Sequence, residues 1–144
     1  MHTLRPIVPQ PAAILPEYAA VITQIYTAVV AILSIHDVDQ EVKEKALYCL
    51  GYVLGHASDS LAAETPKALA LLFEKVSNEI TRLVAVKTLN FVARSPLNID
   101  LTPILSNAVT ELSTFLRKTN RSLKLSSLIC LSSLVLTYSS LFLN

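Results

Sequence analysis

One pattern recurs three times along the chain and sets its spacing. Asp39, Lys43, Ala46, Leu50 and Val53 are matched in order by Asn78, Arg82, Ala85, Leu89 and Val92. Asn120, Lys124, Ser127, Leu131 and Leu134 match them again. Each set reads as a capping Asp or Asn, a base, a small residue, a Leu, and then Val or Leu. After the cap, the steps of four, three, four and three residues keep the set on one side of a helix. The caps Asp39, Asn78 and Asn120 stand 39 and then 42 residues apart.

A period near 40 with helical spacing inside each unit is that of stacked helix pairs of the HEAT type. A pair has an apolar stripe on each helix and cannot bury both alone, so neighbours must stack. The fold class read from this is all-α, an α-solenoid of about three HEAT-type helix pairs. Composition agrees. Of 144 residues 52% are hydrophobic and 16% charged, which supplies enough apolar side chain to order the chain. Only two are Gly, which excludes glycine-rich phosphate loops and disfavours a many-turned β-sandwich.

Pro6, Pro9, Pro11 and Pro16 make 1–16 an extended lead-in. Residues 17–144 form the repeat segment, with helix pairs at about 17–58, 65–94 and 103–138. Asp39, Asn78 and Asn120 cap the second helices. Thr65-Pro66 and Thr102-Pro103 read as a cap followed by proline at the first helical position, opening the third and fifth helices. Ala46, Ala85 and Ser127 are expected where paired helices meet, and Leu50, Leu89 and Leu131 in the core.

Catalytic chemistry is not legible in this chain. His2, His36 and His56 have no Cys or carboxylate partner at a ligand spacing, so neither metal nor cofactor is expected. Cys49 and Cys130 fall at equivalent repeat positions, as small helix residues do. A net charge of +1 disfavours nucleic acid. Candidate partner contacts are Tyr48 and Tyr52, one turn apart, and Arg117, Lys118 and Arg121 around the last turn. Two runs, Tyr18 to Ile35 and Leu125 to Asn144, lack charge over nearly bilayer length. The serines of the last helix gather on one side and Leu128, Leu131, Leu134 and Val135 on the other, which favours stacking over a membrane span. The outer helices lack polar caps, so the isolated chain is expected to self-associate.

Several stretches then resemble one family in order. They are Leu4-Arg5-Pro6, the run from Asp37 to Ala46, and Asn78-Glu-Ile-Thr-Arg82. They continue with Arg94-Ser-Pro-Leu-Asn-Ile-Asp-Leu-Thr-Pro103, Phe115-Leu-Arg-Lys118 and Ser122-Leu-Lys-Leu125. Together these resemble an internal stretch of the cullin-associated, neddylation-dissociated exchange factors. The resemblance implies a non-catalytic HEAT scaffold, cytoplasmic or nuclear, that binds a cullin with its RING subunit and exchanges substrate receptors on it. A generic HEAT adaptor of another complex is the alternative, and a small helical membrane protein the less favoured one. The register itself is testable. Leu89→Ala, in the central repeat, is expected to cost about 2–5 kcal/mol in urea denaturation, and an unchanged midpoint would contradict the alignment.

Overall fold

The structure is a computed structural model and describes residues 15–36 and 38–142. The rest of the 1–16 lead-in lies outside the described residues. The elements are α1 (Pro16–Leu33), α2 (Gln40–Ala57), a 3₁₀ helix (Ser58–Leu61), α3 (Thr65–Ser77), α4 (Arg82–Ala93), α5 (Thr102–Phe115) and α6 (Arg121–Phe142). There is no strand among the described residues. α1 packs on α2, α3 on α4 and α5 on α6. The second helices also form a row, with α4 packed between α2 and α6. The first helices form the other layer, where α3 meets α5 and α1 rests on the 3₁₀ helix.

The repeated pattern has a structural meaning at each position. Asp39 caps α2 by accepting from the backbone N–H of Glu41 at 2.9 Å and of Val42 at 3.3 Å. Asn120 caps α6 by accepting from the N–H of Leu123 at 3.0 Å. The base four residues later reaches back to backbone carbonyls that precede its own helix. Lys43 Nζ donates to the His36 carbonyl at 3.1 Å. Arg82 donates to the carbonyls of Val76 at 3.2 Å and Ser77 at 3.0 Å. The Val76 and Ser77 carbonyls close α3 and carry its negative dipole end, so Arg82 satisfies acceptors that helix leaves free, whereas His36 lies in the turn after α1. The Arg82 guanidinium also lies 4.5 Å from the Phe115 ring centroid, tying the second repeat to the third.

Three caps differ from the sequence reading. Asn78 does not open α4. Its side chain accepts from the N–H of Ile80, and the helix begins at Arg82 after a turn. Thr81 prolongs that turn by donating to the Lys75 carbonyl, which holds the chain against the end of α3. Thr65 is the first residue of α3, and its hydroxyl donates to Leu61 of the 3₁₀ helix. Thr102 is likewise the first residue of α5. Its backbone N–H and hydroxyl both donate to Asp100 Oδ1, at 3.0 and 2.7 Å, so Asp100 supplies the turn chemistry. The hydroxyl bond and then the backbone bond hold the Asp100 carboxyl below its ordinary range. These bonds stabilise the fold above the ordinary carboxylate range, and the benefit is lost as pH falls through the lowered folded-state value.

The core runs through all three pairs and includes Leu47, Leu50, Leu54, Leu69, Leu72, Leu89, Leu112, Phe115 and Leu134. Ala46, Ala85 and Ser127 are buried, as their small size suggests. Leu131 is only half-buried, whereas Leu50 and Leu89 are fully buried. It sits on α6, the outermost helix of the row among the described residues. Gly51 and Gly55 bring α2 close to α4. A Cβ at Gly55 would lie 2.6 Å from Phe91 Cε1, and one at Gly51 2.7 Å from Thr88 Cγ2.

The segment between α4 and α5 is clamped from two repeats. Ser95 Oγ donates to the Gly55 carbonyl at 2.6 Å and accepts from the N–H of Leu97. Asn98 takes a left-handed φ of 54°, a conformation Asn tolerates. The Tyr138 hydroxyl accepts from the Leu101 N–H at 2.7 Å and donates to the Ile99 carbonyl at 3.4 Å. At Tyr138 α6 departs from helical geometry, with φ −115° and ψ 23°.

Two substitutions test this packing. Ser127 is fully buried and its hydroxyl has no partner among the described residues, so Ser127→Ala is expected to raise stability by about 1 kcal/mol. Gly55→Ala is expected to lower it by about 1–3 kcal/mol, because the Phe91 ring edge must move, despite alanine's better helix propensity. Chemical denaturation of the two variants gives both signs, and a stabilised Gly55→Ala chain would contradict the tight α2–α4 contact.

Candidate interaction surface

The structure places the candidate contact residues in two separate areas. Tyr48 and Tyr52 lie on α2, in the first pair. Tyr48 packs partly against the core, with Lys45 Nζ 5.9 Å from its ring centroid. Tyr52 is 55% exposed and meets the Phe91 ring edge-on at 5.1 Å. The His56 ring stands 5.7 Å from Phe91 on the same surface. Tyr52, Phe91 and His56 thus form a small aromatic patch across α2 and α4. A cleft of about 150 Å³ opens beside it, lined by Tyr48, Gly51, Tyr52, Lys87, Thr88 and Phe91. Only the tyrosine pair was visible in the sequence, since Phe91 and His56 join it through the α2–α4 approach.

Arg117, Lys118 and Arg121 are exposed at the turn from α5 to α6, two repeats away from the tyrosines. Lys124 adjoins the group and, among the described residues, makes no reach-back bond of the kind made by Lys43 and Arg82. Three exposed bases and the half-buried Lys124 therefore stand at one edge of the third pair. A cleft of about 330 Å³ beside them is lined by Glu79, Arg82, Leu83, Lys118, Thr119, Asn120 and Leu123.

The faces of α6 are distributed differently from the sequence reading. Leu123, Ser127, Cys130, Ser133 and Leu134 point inward. Leu125, Leu128, Ile129, Val135 and Leu136 point outward, and Leu136 is 81% exposed. The buried Ser133 hydroxyl donates to Asn90 Oδ1 at 2.6 Å, which gives a polar residue a reason to face α4. Grouping the serines on one side and the leucines on the other missed this stripe, because Ser133 faces inward while Leu128 and Val135 face outward. At the other end of the molecule α1 exposes Tyr18, Val21 and Ile25. Both α1 and α6 are long and apolar enough to cross a membrane by length and composition, and most of each window is unburied.

No group of three or more His, Cys, Asp or Glu among the described residues could hold a metal ion. Cys130 is fully buried, and desolvation pushes its thiol up to about 12. Such a thiol is neither a nucleophile nor a ligand near neutral pH. Cys49 is half-buried at the free side of α2. A thiol reagent at pH 8 is expected to label Cys49 in the folded chain and Cys130 only after denaturation. Rapid double labelling of the native chain, read by mass spectrometry, would contradict the burial of α6.

No family model matches the chain. Comparison with curated proteins finds extended similarity to large relatives. The chain is 42% identical over 142 residues to Cullin-associated NEDD8-dissociated protein 1 of Drosophila melanogaster, covering 99% of this chain and 11% of the relative. The Arabidopsis thaliana protein of the same name is 46% identical over 114 residues, covering 79% and 9%. Cullin-associated NEDD8-dissociated protein 2 of Mus musculus is 45% identical over 108 residues, covering 75% and 9%. The chain spans about a tenth of the length of these relatives. Six side-by-side helices, a HEAT-type period and identity sustained over most of the chain lead to one conclusion: this protein is homologous to a segment of the cullin-associated NEDD8-dissociated proteins.

Proposed function

We propose that this chain is a non-catalytic scaffold segment that binds a cullin carrying its RING subunit and acts in the assembly of cullin–RING ubiquitin ligases. The observation that carries the reading is the sustained identity to cullin-associated relatives, which covers 99% of this chain in the first of them. The chemistry of the surface is compatible with it. The chain offers an aromatic patch at Tyr52, Phe91 and His56, and a basic edge at Arg117, Lys118, Arg121 and Lys124. Aromatic and arginine side chains are the usual anchors of protein interfaces. Exchange of substrate receptors, and a cytoplasmic or nuclear location, belong to the same proposal. Tyr48 contributes by holding the α2 surface beneath Tyr52.

Binding is tested with a purified cullin–RING heterodimer. The chain is expected to co-elute with it in size-exclusion chromatography. Tyr52→Ala and the double substitution Arg117→Glu with Arg121→Glu are each expected to weaken binding by about tenfold or more, equivalent to about 1.4 kcal/mol. Both sites are exposed, so circular dichroism should remain that of the parent. A full-length relative that keeps its cullin affinity after loss of the matching segment would reduce this region to a spacer.

A further inference from the structure

Charge is divided unevenly along the chain. Residues 1–100 carry eight bases against ten carboxylates, whereas 101–144 carry four bases against one carboxylate, Glu111. The four bases, Arg117, Lys118, Arg121 and Lys124, gather at the turn from α5 to α6. Helix ends account for only part of this. Arg117 and Lys118 follow α5, whose last carbonyls favour cations. α6 begins with Arg121, has no acidic residue in its first turn, and carries Lys124 nearly one turn on. Bases there add to the positive end of the helix dipole, so α6 itself disfavours them.

Pairing within the chain does not account for the cluster either. Among the described residues none of these four bases forms an ion pair. They border the cleft of about 330 Å³ that lies between the second and third helix pairs. Glu79, Arg82 and Leu83 line one wall, and Lys118 and Leu123 line the other. The two pairs pack on each other through α3 with α5 and α4 with α6, so the cleft is inside the stack. Arg82 donates to the Val76 and Ser77 carbonyls but, among the described residues, has no carboxylate partner. Five bases thus stand in and around the cleft, against Glu79 as the one carboxylate in its walls.

The geometry points to a docking site for an acidic segment of a partner protein, laid across this cleft with its carboxylates among Arg82, Arg117, Lys118, Arg121 and Lys124. Carboxylates beside Arg121 and Lys124 are favoured twice, by the bases and by the start of α6, which reverses the local cost of placing bases there. Leu83 and Leu123 offer apolar surface to the methylene stems of glutamates. No aromatic ring lines the cleft, so the bases of a nucleic-acid strand have nothing there to stack on. Charge of this kind at the rim of an interface governs encounter rate and choice of partner more than raw affinity. The inference deepens the proposed function. It rests on the basic edge being a contact surface, and not on which protein supplies the segment.

Fluorescence anisotropy with labelled hexaglutamate and the whole chain tests it. The peptide is expected to bind at low salt and to bind more weakly as salt rises. Lys118→Glu with Arg121→Glu is expected to weaken binding by about tenfold or more. Lys67→Glu with Arg94→Glu makes the same change in net charge away from the cleft, and is expected to weaken it by about twofold at most. Glu79→Gln removes the like charge and is expected to tighten binding. All five residues are exposed, and circular dichroism checks that each variant keeps its helices. A parent chain that does not bind the peptide overturns the inference. So does equal loss in the two double variants, which would mean attraction to net charge alone, and so does an unchanged affinity in Glu79→Gln. Tighter binding of hexathymidylate than of hexaglutamate also overturns it, because the edge would then serve nucleic acid. Co-elution with a cullin–RING heterodimer in the absence of peptide binding overturns this inference alone. Peptide binding without that co-elution supports the inference and overturns only the cullin assignment.

Discussion

The structure depends on the fact that a helix pair of this size cannot bury its own apolar surface. α4 shows the consequence most clearly. It packs on α3 within its pair, on α2 through Thr88 and Phe91, and on α6 through Asn90. A helix covered on three sides tolerates little polar content there, and what it has is paired. Thr88 bonds its own helix at Val84, Thr81 bonds Lys75, and Asn90 bonds Ser133. The outer helices have fewer neighbours and keep apolar side chains in the open. The gradient from a dry central helix to exposed terminal ones is what stacking in one dimension produces.

The links between repeats are specific as well as apolar. Arg82 satisfies the end of α3 and stacks on Phe115 of α5, so one side chain joins three helices. Ser95 ties the second repeat to the Gly55 carbonyl of the first, and Tyr138 ties α6 to the segment before α5. These bonds fix the angle between successive pairs. That angle sets how the aromatic patch and the basic edge are presented on the surface.

Cap, base, small residue and Leu recurring in one register determined a good deal of this protein without coordinates. They specify an all-helical chain, its three pairs, and the buried places of Ala46, Ala85, Ser127, Leu50 and Leu89. They do so because local capping and helical periodicity act within one or two turns. The ordered resemblance to the exchange factors was equally legible, since it lies in the residues themselves. Tertiary structure decided the rest. On α6 the repeat register already placed Ser127 inward, whereas Ser133 faces inward with a bond to Asn90 that polarity alone did not indicate. The start of α4 moved to Arg82 because Thr81 and Arg82 bond carbonyls at the end of α3. Phe91 joined Tyr52 only because Gly51 and Gly55 let two helices approach. Leu131 is half-buried on α6, which packs against α4 and α5. Each of these outcomes depends on a neighbour distant in sequence, and a local pattern carries no information about where that neighbour will stand.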